Sequence, residues 1–173
     1  MENFIISLVA GILSGIFASY FFLMFYLRNK RPKIAISPFI SKVESNGEIT
    51  FQFKFINQTN SEIFDVYFEP TFYKPFGDFN GRNLQSTDIP LKDNSLSYIP
   101  FKKENDIHNL HAMRIRTSVN LENQWTDDSS FIRLTIIAKH SLSGLNKVFV
   151  HDFLTKDCIT TKKFLSGDNL EVK

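Results

Sequence analysis

From Phe4 to Leu27 the chain carries no charged residue and no proline. At ~1.5 Å per residue a helix of that run is roughly 36 Å long, against a hydrocarbon core of about 30 Å. The length suits a tilted transmembrane helix. A cleaved signal peptide is the competing reading, and it needs a positively charged start, a shorter apolar core and a small-residue cleavage site. Here the run is preceded by Met1, Glu2 and Asn3, with no Lys or Arg. An uncleaved anchor over residues 1–33 is therefore expected.

Lys and Arg stay on the cytoplasmic side of a bilayer. Arg28, Lys30, Arg31 and Lys33 all follow the apolar run and no basic residue precedes it. The expected topology is a single-pass protein of the cell membrane, with its N-terminus outside and its C-terminal domain cytoplasmic. Tyr20 and Tyr26 lie toward the cytoplasmic end, as an interfacial aromatic belt would place them. On this topology the glycosylation sequon at Asn57 is inert.

Within the run, Ser7, Gly11, Gly15 and Ser19 recur four apart and share one helix face. Ala10, Ser14 and Ala18 form a second line beside them. In lipid, apolar side chains gain nothing by hiding from one another, and helices associate where small residues let backbones approach. Ser7, Gly11, Ser14, Gly15, Ala18 and Ser19 are thus candidate packing residues, for a homo-oligomer or a membrane-protein partner. A pore lined by Ser7, Ser14 and Ser19 is the alternative, although such hydroxyls also bond to backbone carbonyls of their own helix.

Pro32 ends the helix, because it disfavours helical geometry at Arg31 and lacks an amide donor. Beyond it, apolar residues alternate with polar ones. "ITFQFKFIN" sets Ile49, Phe51, Phe53 and Phe55 against Thr50, Gln52 and Lys54, and "FIRLTIIAKH" sets Ile132, Leu134, Ile136 and Ala138 against Arg133, Thr135 and Lys139. "IFDVYFEPTF" alternates Val66 and Phe68 with Asp65, Tyr67 and Glu69. "KIAIS", "SLSYIPF", "HAMRIRTSV" and "KVFVHDFL" are shorter strand candidates, and polar turns at 45–47, 57–62, 76–83, 123–130 and 141–147 separate them. The fold class expected is all-β, an immunoglobulin-like β-sandwich over 34–165 preceded by one transmembrane α-helix, with a loose tail at 166–173. The sheet surface and the loops at 76–83 and 123–130 are the expected contact regions.

The order of these pieces resembles the cytoplasmic immunoglobulin-like domain of inward-rectifier potassium channels. "FKFINQTNSEIFDVYFEPTF", "IPLKDNSLSYIPFKKENDIHNL" and "FIRLTIIAKHSLSGLNKVFVHDFLTKDCI" carry the likeness, which covers most of residues 49–160. The chain has one apolar helix where the channels have two around a pore loop, and no TVGYG filter. Potassium selectivity therefore does not transfer. What the resemblance implies is a tethered sandwich assembling beneath the bilayer and responding to lipid or a ligand. The basic run 28–33 sits where the channels bind anionic lipid.

The remaining residues give little chemistry. A net charge of +2 and a pI near 8.6 are too mild for nucleic acid, and no basic patch is interleaved with aromatics. Cys158 is the only cysteine, so there is no internal disulfide and no cysteine-based zinc cage. Nineteen phenylalanines, with abundant Asn, Ile and Lys, suggest an AT-rich bacterial genome. His108 and His111, three apart with Asp106 nearby, could share a metal but read better as surface loop histidines. His140 and His151 could face each other across a hairpin without a third ligand. Asp127 and Asp128 before Ser129 and Ser130 read as a solvated turn, and Trp125 as a cap on one end of the sandwich. Cys158, after Asp157 and near Lys162 and Lys163, could be an activated thiol but reads as packing. No phosphate-binding glycine loop or G-x-S-x-G elbow occurs. The chain is expected to be a non-enzymatic module without cofactor or metal, and a pore-forming effector of bacterial defence is the alternative.

Overall fold

The computed structural model describes residues 1–173 apart from 46, 78–82, 105, 140–143 and 145. Helix α1 (Glu2–Lys30) takes up the apolar run. It stops two residues before Pro32, and Arg31 is extended (φ −60°, ψ 137°), as a residue preceding proline should be. Strands β1 (Ile34–Ser45), β2 (Glu48–Asn57), β3 (Ile63–Phe76), β4 (Asn83–Asp88), β5 (Ser95–Ile99) and β6 (Ala112–Thr117) follow. Then come a one-turn helix α2 (Leu121–Gln124), β7 (Phe131–Lys139), β8 (Asn146–Phe153) and the two-residue β9 (Ile159–Thr160).

The strands form two sheets. One has the order β6-β2-β1-β9, and the other β4-β3-β7-β8 with β5 also paired to β3. Two irregularities shape them. β1 shifts register between Ile36 and Ile40, around Pro38, which has no amide to give the ladder. β3 shifts between Phe64 and Tyr67, where Asp65 takes the left-handed region (φ 46°).

Alternation puts the core between the sheets. Phe51, Phe53 and Phe55 of β2 are fully buried and meet Val66, Phe68, Ile132, Leu134 and Ile136 from the opposite layer. Phe55 and Phe68 lie 5.0 Å apart between ring centroids, and Phe53 and Phe153 lie 5.6 Å apart. Ile49, expected on this face, is exposed at the outer end of β2. Trp125 closes one end of the core edge-on to Phe72, as its reading as a cap anticipated. The polar strand β4 was not expected, because all six of its residues are exposed and no alternation marks it.

The expected loose tail is a further correction. Residues 161–173 fold back on the outer face of the first sheet. Lys163 and Lys173 exchange both backbone hydrogen bonds, and Phe164 is buried opposite Val172. Ser41 Oγ donates to Lys162 O (2.6 Å) and Ser37 Oγ to Leu170 O (2.7 Å).

Candidate functional site

α1 is long and apolar enough to cross a membrane, and nothing in the described chain covers that stretch. Ser7, Gly11, Ser14, Gly15, Ala18 and Ser19 are all exposed. A methyl group added at Gly11 or Gly15 would meet no atom within 4 Å. Ser7 Oγ donates to Asn3 O (2.8 Å) and Ser14 Oγ to Gly11 O (2.9 Å), so both hydroxyls are satisfied within the helix. The face is bare and lined by small side chains, which is what close backbone approach in lipid requires.

Arg28 and Lys30 end α1, and Arg31–Lys33 are the whole connection to β1. That connection is pinned to the sheets. Lys33 N donates to Thr59 Oγ1 (2.8 Å), Gln58 N to Lys33 O (2.8 Å) and Lys147 Nζ to Pro32 O (2.8 Å). Arg28, Arg31 and Lys33 are exposed. Asn57 holds the neighbouring strand ends. It is buried, pairs with Ile34, accepts from Thr59 N, and donates from Nδ2 to the carbonyls of Ser61 and Pro100. The amide of the sequon's Asn57 is thus buried and consumed by hydrogen bonds of the fold.

The outer face of the first sheet holds the densest polar cluster. Lys54 and Arg114 are directly opposite across β2 and β6, a like-charge pair that is unfavourable by itself. Backbone carbonyls of the folded tail solvate both cations. Lys54, 1% exposed, donates through Nζ to the carbonyls of Leu165 (2.6 Å), Gly167 (2.8 Å) and Asn169 (2.6 Å). Arg114 Nη2 donates to Phe164 O and Leu165 O. Burial, with the Arg114 charge adding to it, pushes the Lys54 ammonium down to about 8, against the opposing pull of Asp168.

His111 is 2% exposed rather than a surface histidine. Its Nε2 bonds to Asp168, which also takes Lys102, and its Nδ1 lies 3.7 Å from Asp106 Oδ2. Lys102 and then His111 hold the Asp168 carboxyl below its ordinary range. Burial would raise Asp106, but the amides of Leu110 and His108 and the His111 ring outweigh it. His108 is exposed and takes no part through its ring in these bonds. Among the described residues no group of His, Cys, Asp and Glu is arranged to hold a metal.

The other candidates are separate from this cluster. Burial pushes the Cys158 thiol up to about 12, with Asp157 adding to the rise, which overturns activation by Lys162 and Lys163. Asp127 accepts from Ser129 and Ser130 and is lowered by them, so the acidic turn is a self-contained motif. His151 stacks edge-on against Phe153, and burial lowers its pKa; His140 lies outside the described residues. The turn at 123–130 is described, whereas most of the one at 76–83 is not. No protein-family model matches the chain, and no curated protein matches its sequence.

Proposed function

We propose that the chain is a single-pass, membrane-anchored binding or sensing module without catalytic activity. In this reading α1 crosses the cell membrane with its N-terminus outside, and Arg28, Lys30, Arg31 and Lys33 keep the sheets in the cytoplasm. α1 self-associates through Ser7, Gly11, Ser14, Gly15, Ala18 and Ser19. The observation that carries it is the bareness of α1: an apolar helix of this length is stable in water only if something covers it, and the described fold covers none of it.

The strand order supports an immunoglobulin-like domain. β6-β2-β1 against β4-β3-β7-β8 corresponds to strands E, B and A facing C′, C, F and G of that architecture. The same order is compatible with the likeness to the channel domain at the level of a tethered sandwich. Helix association is favoured over a pore, since the Ser7 and Ser14 hydroxyls bond to their own backbone.

The test is the size of the intact chain in mild detergent beside Gly11→Leu/Gly15→Leu, with dye leakage from vesicles measured in parallel. The expected outcome is a complex that dissociates in the double variant without leakage in either sample. A complex of unchanged size sinks self-association through this face, and leakage that depends on the two glycines establishes the pore instead.

A further inference from the structure

The end of the domain where α1 enters carries more exposed apolar surface than its folding needs. Ile107 is 87% exposed and Leu110 55%, both in the loop between β5 and β6, and the Phe64–Tyr98 ring pair is exposed on the strands at the same end. Ile107 is not exposed by looseness. Asp106 accepts from the amides of His108 (3.0 Å) and Leu110 (2.7 Å), and Asn109 takes the left-handed region (φ 52°), so a closed turn presents the side chain.

The position of this loop relative to α1 is constrained. Both its ends are tied to Asn57, through Pro100 O and His111 O, and Asn57 pairs with Ile34, the first residue after the connection. Lys30 and Ile34 are separated by three residues, so they are at most about 14 Å apart however the chain extends. A bilayer crossed by α1 would therefore lie within a loop's reach of Ile107 and Leu110. The charges at this end are mixed but suit a headgroup layer. Lys33 and Lys103 are exposed alongside Arg28 and Arg31, the Asp106 carboxylate is turned inward against amides, and Asp168 is engaged by Lys102 and His111. Besides Asp168, the exposed acids at this end are Glu62, Asp65 and Glu104, and Asp65 is paired with Lys139 (2.9 Å).

We propose that this end of the domain docks on the leaflet through which α1 leaves. Ile107 and Leu110 enter the interfacial region, the Phe64–Tyr98 pair lies beside them, and Lys33 and Lys103 face lipid phosphates. The partner is the lipid surface itself, and the docking rests on the anchoring of α1 proposed above. It holds the domain in one orientation, which leaves the free strand edges and the opposite end for a protein or ligand.

The test uses the full chain in vesicles of four parts phosphatidylcholine to one part phosphatidylserine. An environment-sensitive fluorophore is placed by Ile107→Cys or Leu110→Cys in a Cys158→Ser background, and quenching by lipids with headgroup nitroxides is read. Ile49→Cys, exposed at the other end of β2, is the distant control, and Leu23→Cys in α1 reports insertion. Quenching at 107 and 110 several-fold above that at 49 is expected, with strong quenching at 23. Quenching at 23 but no excess at 107 and 110 overturns docking and leaves the anchor standing. No quenching at 23 overturns the anchor, and docking with it.

Discussion

Replacing Lys54 by Met removes one titrating group from beneath the tail while keeping an apolar stem in its slot. In the native fold Lys54 is held at about 8 instead of 10.5, because burial and Arg114 disfavour the charge more than Asp168 supports it. That gap corresponds to at most about 3 kcal/mol of proton linkage. Below pH 8 the folded and unfolded chains both carry the proton, and the Lys54 contribution does not vary. Between about 8 and 10.5 the unfolded chain still binds a proton that the folded chain has released, so the unfolding free energy rises with pH. Above 10.5 it levels off. Denaturant unfolding of the full chain in mild detergent can be followed by Trp125, the only tryptophan, which is 4% exposed. Other lysines and tyrosines titrate over the same range in both proteins, so the informative quantity is wild type minus Lys54→Met. We expect that difference to grow in favour of the wild type by up to about 3 kcal/mol from neutral pH to 10.5. A flat or falling difference would refute the reasoning, because it would mean that the three carbonyls hold the ammonium at least as tightly as water does.

Three further outcomes are expected. Phe53→Ala empties a fully buried position between the sheets and should cost about 3–5 kcal/mol in the same unfolding assay. Asn57→Ala leaves the carbonyls of Ser61 and Pro100 without their donor, at a cost of roughly 1–3 kcal/mol for each one that stays buried, and hydrogen exchange should quicken in the 100–111 loop. Cys158, pushed up to about 12 from 9.0, should alkylate about a thousandfold more slowly in the folded chain than in denaturant at mildly alkaline pH. Equal rates would show that the thiol is not in the environment described.

The features legible in the sequence are those encoded locally. The charge-free run marks the extent of α1 to within a few residues, and the alternation in β2 and β7 marks both strands and, apart from exposed Ile49, the side chains that face the core. β4 was illegible because an edge strand exposed at every position has no periodic signal. Lys54 was correctly placed on the polar face of β2, but its burial depends on carbonyls more than a hundred residues away. His111 has the same explanation, since its cover comes from Asp168 in a tail that looked unstructured. The tail itself is a run of Ser, Gly, Asp and Asn that binds Lys54 through backbone carbonyls and, apart from the Asp168 carboxylate, offers little side-chain signal. No composition rule registers that. Asn57 matched a glycosylation motif, and only the tertiary hydrogen bonds show that its amide holds the helix-proximal end together.

Protease protection in sealed membranes is the most direct examination of the central claim, that α1 spans the bilayer and delivers the sheets to the side marked by Arg28–Lys33. Intact cells treated from outside should leave the β-domain whole, whereas inverted vesicles should lose it down to a short membrane-embedded fragment. The chain should also stay with the membrane after an alkaline carbonate wash. Release by that wash, or digestion of the domain from the outer side of intact cells, would contradict the account.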